Sequence, residues 1–336
     1  MAPIIPFSPS VSVSTSGALS AAAVRGSFLR SLLRLKEEKM PYIDLLFANG
    51  KKSEGAEELH AQIADNVIWR RWPKGKPRRM DAGQEFYYTI VNHEYEAGIK
   101  NHKNDRFDDR TGTFQQSLSS AARNYYSLFN DIGHQLLTGT SNSDLLPSIP
   151  NSYYGISLIS ASHSFVSGGN TFSGTGVTAT TVETDIFTMI KRFRDMKQEG
   201  KTYKYWTPDD VKIEKIVFII PTALEKVFES LQKGNLVAQD NAALDSIAGR
   251  SNILKNRINY YVEPRLTDAN DWYGVLNADP NVKPFVKVPR SDIEVTNETW
   301  PNDSYSKQTG FEYYGASARW GFSVYEPRAI CQCTNT

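Results

Sequence analysis

The sequence predicts an α+β fold, with helices laid on sheets, and three stretches carry that expectation. Phe114 to Thr138 reads as one long amphipathic helix and Val182 to Glu199 as a second. Lys215 to Ile220 is a continuous apolar run of the kind found in strands buried on both faces. In the long helix, apolar residues fall at Phe114, Leu118, Ala121, Tyr125, Leu128, Ile132 and Leu136, steps of three and four that place one stripe along one face. Thr113 followed by Gln116 forms a capping-box pattern, and Gly139 supplies a left-handed stop. Gly133 inside the helix costs about 1 kcal/mol relative to Ala, so packing has to compensate. At about 1.5 Å per residue the helix is roughly 37 Å long and needs a sheet or another subunit against its apolar face.

The elements before it follow in order. Met1 to Ser16 is rich in Pro, Ser and Val without a period and reads as an extended arm, ordered when a partner surface holds it. Ser20 to Lys39 forms a short helix with Val24, Phe28, Leu32 and Leu35 on one side, made basic by Arg25, Arg30, Arg34, Lys36 and Lys39. Glu57 to Ile68 gives another short amphipathic helix. Trp69 to Arg79 is the strongest charge run: Arg70, Arg71, Lys74, Lys76, Arg78 and Arg79 surround Trp69 and Trp72, and Pro73, Gly75 and Pro77 exclude regular structure. Two strand-like runs, Glu85 to Val91 and Tyr95 to Lys100, join this segment in a long protruding β-hairpin loop. Asp105 to Arg110 turns the chain into the long helix.

Beyond the long helix, Asn151 to Gly176 is rich in Ser, Gly and Thr. The second helix carries Val182, Ile186, Met189, Ile190, Phe193 and Met196, with a capping box at Thr180 and Glu183 and a stop at Gly200. Pro221 opens a third helix through Leu231, closed by Gly234. Strands follow at Ile258 to Val262, Trp272 to Leu276 and Phe285 to Val288, and an aromatic strand pair spans Phe311 to Tyr325. No internal repeat at a solenoid period is visible.

A chain of 336 residues permits one large domain or two medium ones. A net charge of +1 argues against a protein whose main task is gripping nucleic acid. Aromatics at 12% point to large aromatic contact surfaces, within the fold or between subunits. Two cysteines, Cys331 and Cys333, cannot complete a zinc site, and one intervening residue disfavours a mutual disulfide. They read either as incidental thiols of a reduced cytosolic protein or as ends of a cross-link between subunits. No apolar run is long enough to span a membrane. Gly17 to Val24 is a poor signal peptide, so the glycosylation patterns at Asn297 and Asn302 carry no meaning.

The chain offers little chemistry. Its histidines are His60, His93, His102, His134 and His163; His93-Glu94 begins a zinc-protease motif, but Ala97 stands where the second histidine belongs. No G-x-S-x-G elbow occurs. Gly168 to Gly176 has the glycines of a phosphate loop but no following Lys, and reads as a flexible surface loop. Asp108-Asp109 and Asp209-Asp210 are adjacent pairs that do not converge on one atom, and Asp209 after Thr207-Pro208 fits a turn. Neither an enzyme nor a cofactor or metal site is expected. The run Trp69 to Arg79 admits three readings: a solvated or subunit-contacting loop, contact with DNA through its phosphates and with Trp69 and Trp72 able to stack on bases, or base-specific readout. Arg25, Arg30 and Arg34 on the arm helix divide the same way, more toward DNA if they face an interior.

Taken in order, these pieces resemble the major capsid protein of tailed phages, specifically the Mu-like major head subunit family. Four stretches carry the resemblance: Asn92-His-Glu-Tyr-Glu-Ala-Gly-Ile-Lys100 leading to Asp108-Asp109 and the long helix; Gly155-Ile-Ser-Leu-Ile-Ser-Ala-Ser-His163; Ile216-Val-Phe-Ile-Ile-Pro-Thr-Ala-Leu-Glu225; and Val262-Glu-Pro-Arg-Leu-Thr-Asp-Ala-Asn-Asp-Trp-Tyr273. The tail Glu312-Tyr-Tyr-Gly-Ala-Ser-Ala-Arg-Trp-Gly fits more loosely. The second stretch has Leu158-Ile159-Ser160 where the family has Phe-Ser, and the arm lacks an acidic, coiled-coil-like scaffolding segment.

The resemblance implies the tailed-phage capsid fold, shared with encapsulins and the herpesvirus capsid floor. Residues 1–67 would be the N-terminal arm and 68–102 the extended loop. Residues 103–202 would be the peripheral domain with its spine helix at 114–138, 203–288 the axial domain, and 289–336 the return to the peripheral domain. It further implies a structural protein of the virion, assembled in the host cytoplasm as pentamers and hexamers. These would close an icosahedral shell around double-stranded DNA held without sequence preference. A portal, and scaffold or decoration proteins, would be its other partners. The rivals are an encapsulin-like compartment and a nucleic-acid-binding protein using residues 69–79.

Overall fold

The computed structural model describes residues 21–63, 71, 74, 77, 85–104, 113–198, 203–238, 249–298 and 303–335. In them the chain runs α1 (Ala21–Leu46), β1 (Phe47–Asn49), β2 (Glu57–Ile63), β3 (Glu85–His102), α2 (Thr113–Thr138), β4 (Thr171–Ser173) and α3 (Ala179–Asp195). It continues through β5 (Ile216–Ile220), α4 (Glu225–Lys233), β6 (Leu236–Ala238), β7 (Gly249–Ser251), β8 (Asn259–Val262), β9 (Trp272–Leu276), β10 (Phe285–Glu298), α5 (Ser304–Thr309), β11 (Phe311–Val324) and β12 (Ile330–Thr334). The described strands form one five-stranded sheet in the order β1-β10-β11-β3-β2, another in the order β4-β12-β9-β5-β8, and the pair β6-β7. The α+β expectation holds. The described residues fall into two compact units, one drawn from Met1–Glu38, Glu96–Tyr126 and Ile293–Ser317, the other from Lys39–Tyr95, Ser127–Asp292 and Ala318–Thr336.

The larger unit has its main core under the second sheet. Apolar residues of α3 (Val182, Ile186, Met189, Phe193) and α4 (Phe228, Leu231) meet Phe218 of β5 and Trp272 of β9. The ring centroids of Phe218, Phe228 and Trp272 all lie 5.6 Å apart, in tilted and edge-on pairs favoured by aromatic quadrupoles. β5 pairs parallel with β8 and antiparallel with β9, which makes it an interior strand as its apolar run requires. β12 lies between β9 and β4. Its approach is set at a buried turn, where Arg328 Nε and Nη2 each donate to a Glu326 carboxylate oxygen at 2.8 Å.

The long helix is continuous, as expected, and Gly139 ends it with φ +72° and a bond from its N–H to the Gln135 carbonyl. Its buried face is turned by one residue from the sequence stripe: Ala122, Tyr126 and Phe129 are buried where Ala121, Tyr125 and Leu128 were expected, and the two coincide again at Ile132 and Leu136. The Phe129 ring lies 5.2 Å from Trp320 and 5.8 Å from Phe322 of β11, so this part of α2 rests on a sheet. Gly133 explains itself here. A Cβ there would stand 3.2 Å from Leu46 Cδ1 and 3.3 Å from the Phe47 ring, so the close packing it permits offsets its helix cost. In the smaller unit, Tyr126 Oη donates to the Leu32 carbonyl, and Phe28, Leu32 and Leu35 are buried as the arm-helix pattern predicts.

Several expectations are corrected. α1 does not stop at Lys39; it runs through Pro41 to Leu46. Pro41 removes one backbone bond, but Ile43, Leu45 and Leu46 just beyond it are buried and stabilise the extra turn. Glu57 to Ile63 is a strand and not a helix. The runs at Glu85 and Tyr95 are one strand, whose hairpin partner is β2. α3 is capped by Thr178 and Thr181 and not by Thr180 and Glu183, and it ends at Asp195, before Gly200. Phe311 to Tyr325 is one strand and not a pair, and β12 was not anticipated.

The segment Gly168 to Gly176 is likewise no flexible loop. It contains β4, and the fully buried Asn170 side chain donates to the Leu158 and Pro327 carbonyls at 2.8 and 3.0 Å and accepts from Ser160 N–H at 2.9 Å. The start of the arm (1–20), the cap at Thr113 and the turn at 105–110 lie outside what the described residues test.

Candidate interaction surfaces

The hairpin β2–β3 is built from alternation. In its register Glu57 faces Val91, Leu59 faces Thr89 and Ile63 faces Glu85. Successive side chains of a strand point to opposite faces, so Tyr88, Ile90 and Asn92 share one face while Tyr87, Thr89 and Val91 share the other. The first face is turned inward. Ile90 is buried with Val286 and Val288, and Asn92 Nδ2 donates to Ser53 Oγ at 2.7 Å and to the Gly55 carbonyl at 2.8 Å. His60 stacks on Tyr88 at 5.6 Å, and burial lowers its pKa against the opposing pull of Glu58. The second face leaves Leu59 69%, Tyr87 57% and Val91 44% exposed. A strand pair apolar on both faces fills its own core with one and offers the other to something else.

The arm helix has a second such surface. Arg30, Leu33 and Arg34 share a face through their spacing of three and four, and Leu33 is 67% exposed between two exposed arginines. The Arg25 side chain lies outside those described. Of the basic run, Arg71 and Lys74 are exposed, while Trp69, Arg70, Trp72, Lys76, Arg78 and Arg79 lie outside the described residues. Leu33, Leu59, Tyr87 and Val91 were not singled out from sequence. The signal for three of them was present: Glu58 to Ile63 alternates polar and apolar at period two, opposite a strand with aromatic or aliphatic residues on both faces.

No catalytic constellation forms among the described residues. No group of three or more His, Cys, Asp or Glu is placed to hold a metal ion. The titratable side chains serve as ties. Arg265 joins Asp131 at 2.6 Å and Glu263 at 3.1 Å, and Tyr42 Oη donates to Glu263 at 3.0 Å, binding α1, α2 and the segment after β8 together. His163 Nε2 sits 3.0 and 3.1 Å from the Ser157 and Leu158 carbonyls, its ring stacked on Phe165 at 4.8 Å. Asp210 accepts from Thr207 N–H and Oγ1, closing the expected turn. Both cysteines are free and buried; burial pushes the Cys331 thiol up to about 12 and raises Cys333 as well. Buried thiols reach no neighbouring molecule, so the cross-link reading is corrected to that of inert core residues. Among the described residues no helix is long and apolar enough to cross a membrane.

Comparison with known proteins gives the context for these surfaces. The model of a phage capsid protein family matches residues 103–333. No curated protein matches the chain. Among solved structures, the capsid of an empty GTA particle has a similar fold, with a TM-score of 0.52, 12% identity and coverage of 88% of each chain. The capsid structure of the cyanophage P-SCSP1u is similar too, with a TM-score of 0.51, 11% identity and 88% of each chain covered.

Proposed function

The chain belongs to the phage capsid protein family, and from that premise we propose how its surfaces build the shell. It is a structural capsid subunit, a component of the virion, and it works by association without turnover. The finer reading is a Mu-like major head subunit. Copies join as pentamers and hexamers and close an icosahedral shell around double-stranded DNA in the host cytoplasm, with a portal and scaffold or decoration proteins as further partners. Residues 1–67 serve as the arm, 68–102 as the extended loop, 103–202 as the peripheral domain, 203–288 as the axial domain and 289–336 as the return.

The observation that carries this reading is the two-faced hairpin. Its outer residues Leu59, Tyr87 and Val91 are still 44–69% exposed in the single subunit, and burying that remainder against a neighbour contributes about 0.7–2 kcal/mol each. Repeated at every contact, that gain adds up across a shell whose subunits carry a net charge of only +1 and so repel weakly. Arg25, Arg30 and Arg34 face the lumen, and residues 69–79 meet a neighbouring subunit or DNA phosphates.

Negative-stain microscopy of the purified protein tests the reading. Closed shells, tubes or capsomers are expected, and nucleic acid inside shells separates a genome container from a cargo compartment. A monomer that binds single-stranded DNA tightly at physiological salt would refute it.

A further inference from the structure

The larger unit carries a cleft that the hairpin and arm do not involve. It has a volume of about 460 Å³ and lies beside the C-terminal half of α3. Four cations line it, Lys191, Arg192, Lys197 and Lys204, against one carboxylate, Asp195. Lys204 binds Asp195 at 2.7 Å, and this bond, reinforced by Lys191 and Lys197, holds the Asp195 carboxyl below the usual carboxylate range. Neither Lys191 nor Lys197 makes an ion pair among the described residues, and both are exposed. The cleft therefore keeps an excess of positive charge after its internal pairing is complete.

The kind of donor left over defines the ligand. Arg192 is already engaged: its Nη1 donates to the carbonyls of Ser167, Gly168 and Gly169 at 3.2, 3.3 and 2.7 Å, and its guanidinium lies 5.4 Å from the Phe172 ring. The planar fork, which would grip a carboxylate or a phosphate bidentately, is thus turned to main-chain carbonyls. What faces the opening is two lysine ammonium groups together with exposed Ser167 and Thr188. Point charges and hydroxyls of this kind suit phosphate oxygens. The aromatic floor residue Phe165 is 1% exposed and gives a base no face to stack on.

We propose that this cleft is a phosphodiester-contact site, holding the backbone of double-stranded nucleic acid through Lys191 and Lys197 without reading its sequence. The proposal rests on the shell reading above and adds that the cleft faces the lumen.

The test is fluorescence anisotropy of a short labelled duplex against unassembled protein across a salt series. Lys191→Ala/Lys197→Ala is compared with wild type and with Lys226→Ala/Lys255→Ala, which removes two exposed lysines elsewhere in the same unit. Loss of two phosphate contacts lowers the slope of log Kobs against log salt by about 1.8, and the comparison variant keeps the wild-type slope. Equal slopes in wild type and the Lys191/Lys197 variant overturn the proposal. So does polyglutamate binding to these lysines in preference to the duplex, which would make the cleft a dock for an acidic protein. Microscopy of the same preparations is read separately: shells with no slope difference sink the cleft alone, whereas wild-type protein that forms neither shells nor capsomers sinks the shell reading.

Discussion

Arg328 and Glu326 form a buried ion pair whose removal from one side can be worked through from the geometry. The Arg328 side chain is 5% exposed and that of Glu326 1%. Arg328 gives two bonds of 2.8 Å to the carboxylate and one of 2.9 Å to Tyr153 Oη, and its guanidinium stands 3.6 Å above the Tyr205 ring. Arg328→Met keeps much of the packing but strands the carboxylate. Glu326 then retains only the residue-328 main-chain N–H at 3.0 Å and the Tyr153 hydroxyl at 3.2 Å. Breaking a buried pair this way costs about 3–5 kcal/mol, because the remaining charge stays desolvated. Glu326→Leu/Arg328→Met removes both charges and should be more stable than Arg328→Met alone. Urea unfolding of unassembled protein, followed by tryptophan fluorescence, measures both at constant m. A cost within about 1 kcal/mol for Arg328→Met, the size of a solvated pair, would refute the reasoning. So would a double variant no more stable than Arg328→Met.

Four further outcomes are expected. Leu59→Asp/Tyr87→Ser leaves the circular dichroism of the subunit unchanged but abolishes shells in the microscope, since both residues are exposed in the single copy; shells of normal yield would count against the hairpin contact. Gly169→Ala places a Cβ 1.8 Å from the Ser160 carbonyl oxygen at a φ of +64°, and destabilises by about 2–4 kcal/mol in thermal melts. Cys331 and Cys333 resist a thiol reagent in the native protein and react after unfolding, and a non-reducing gel shows no disulfide-linked dimer. Burial depresses the His134 pKa below 6.5, with Arg265 assisting and Glu263 and Asp131 opposing. The unfolded chain therefore takes the proton more readily, and the contribution of His134 to stability is full above the unfolded pKa and lost as pH falls through the folded value. His134→Gln should flatten the decline in unfolding midpoint between about pH 7.5 and 5.

The long helix and β9 were legible because their signals are local and strong. Sustained three-four spacing admits only a helix, and a short apolar run between turns reads as a strand. The apolar stripe did not say which of two adjacent residues faces inward. Ala121 and Ala122, or Tyr125 and Tyr126, are equivalent by composition, and contacts from distant segments, such as the Leu32 carbonyl bonded to Tyr126, choose between them. Glu57 to Ile63 was misread for a related reason. Read over Glu57 to Ile68 the segment also admits an amphipathic helix, although Glu58 to Ile63 alternates at period two, and pairing with β3 decides it. β12 escaped because its short run is a strand only between β4 and β9.

The candidate surfaces divide along the same line. The basic run at 69–79 was visible as composition, and only Arg71 and Lys74 of it fall among the described residues. The exposed apolar hairpin face and the lysine cleft were not visible as sites. The first needed the register of β2 on β3, and the second brings Ser164 to Ser167 beside α3 and Lys204, residues that no motif links.

By itself, then, the sequence determined the class of fold, the long helix, the apolar strands of the larger unit and the family resemblance. These follow from periodicity and order along the chain, which act over one or a few turns of backbone. Tertiary structure alone decided which face of each element is buried and how far α1 runs past Pro41. It also decided which apolar and cationic side chains are left at the surface for a partner. Burial is a property of what packs against a residue, and the packing partners here come from distant parts of the chain.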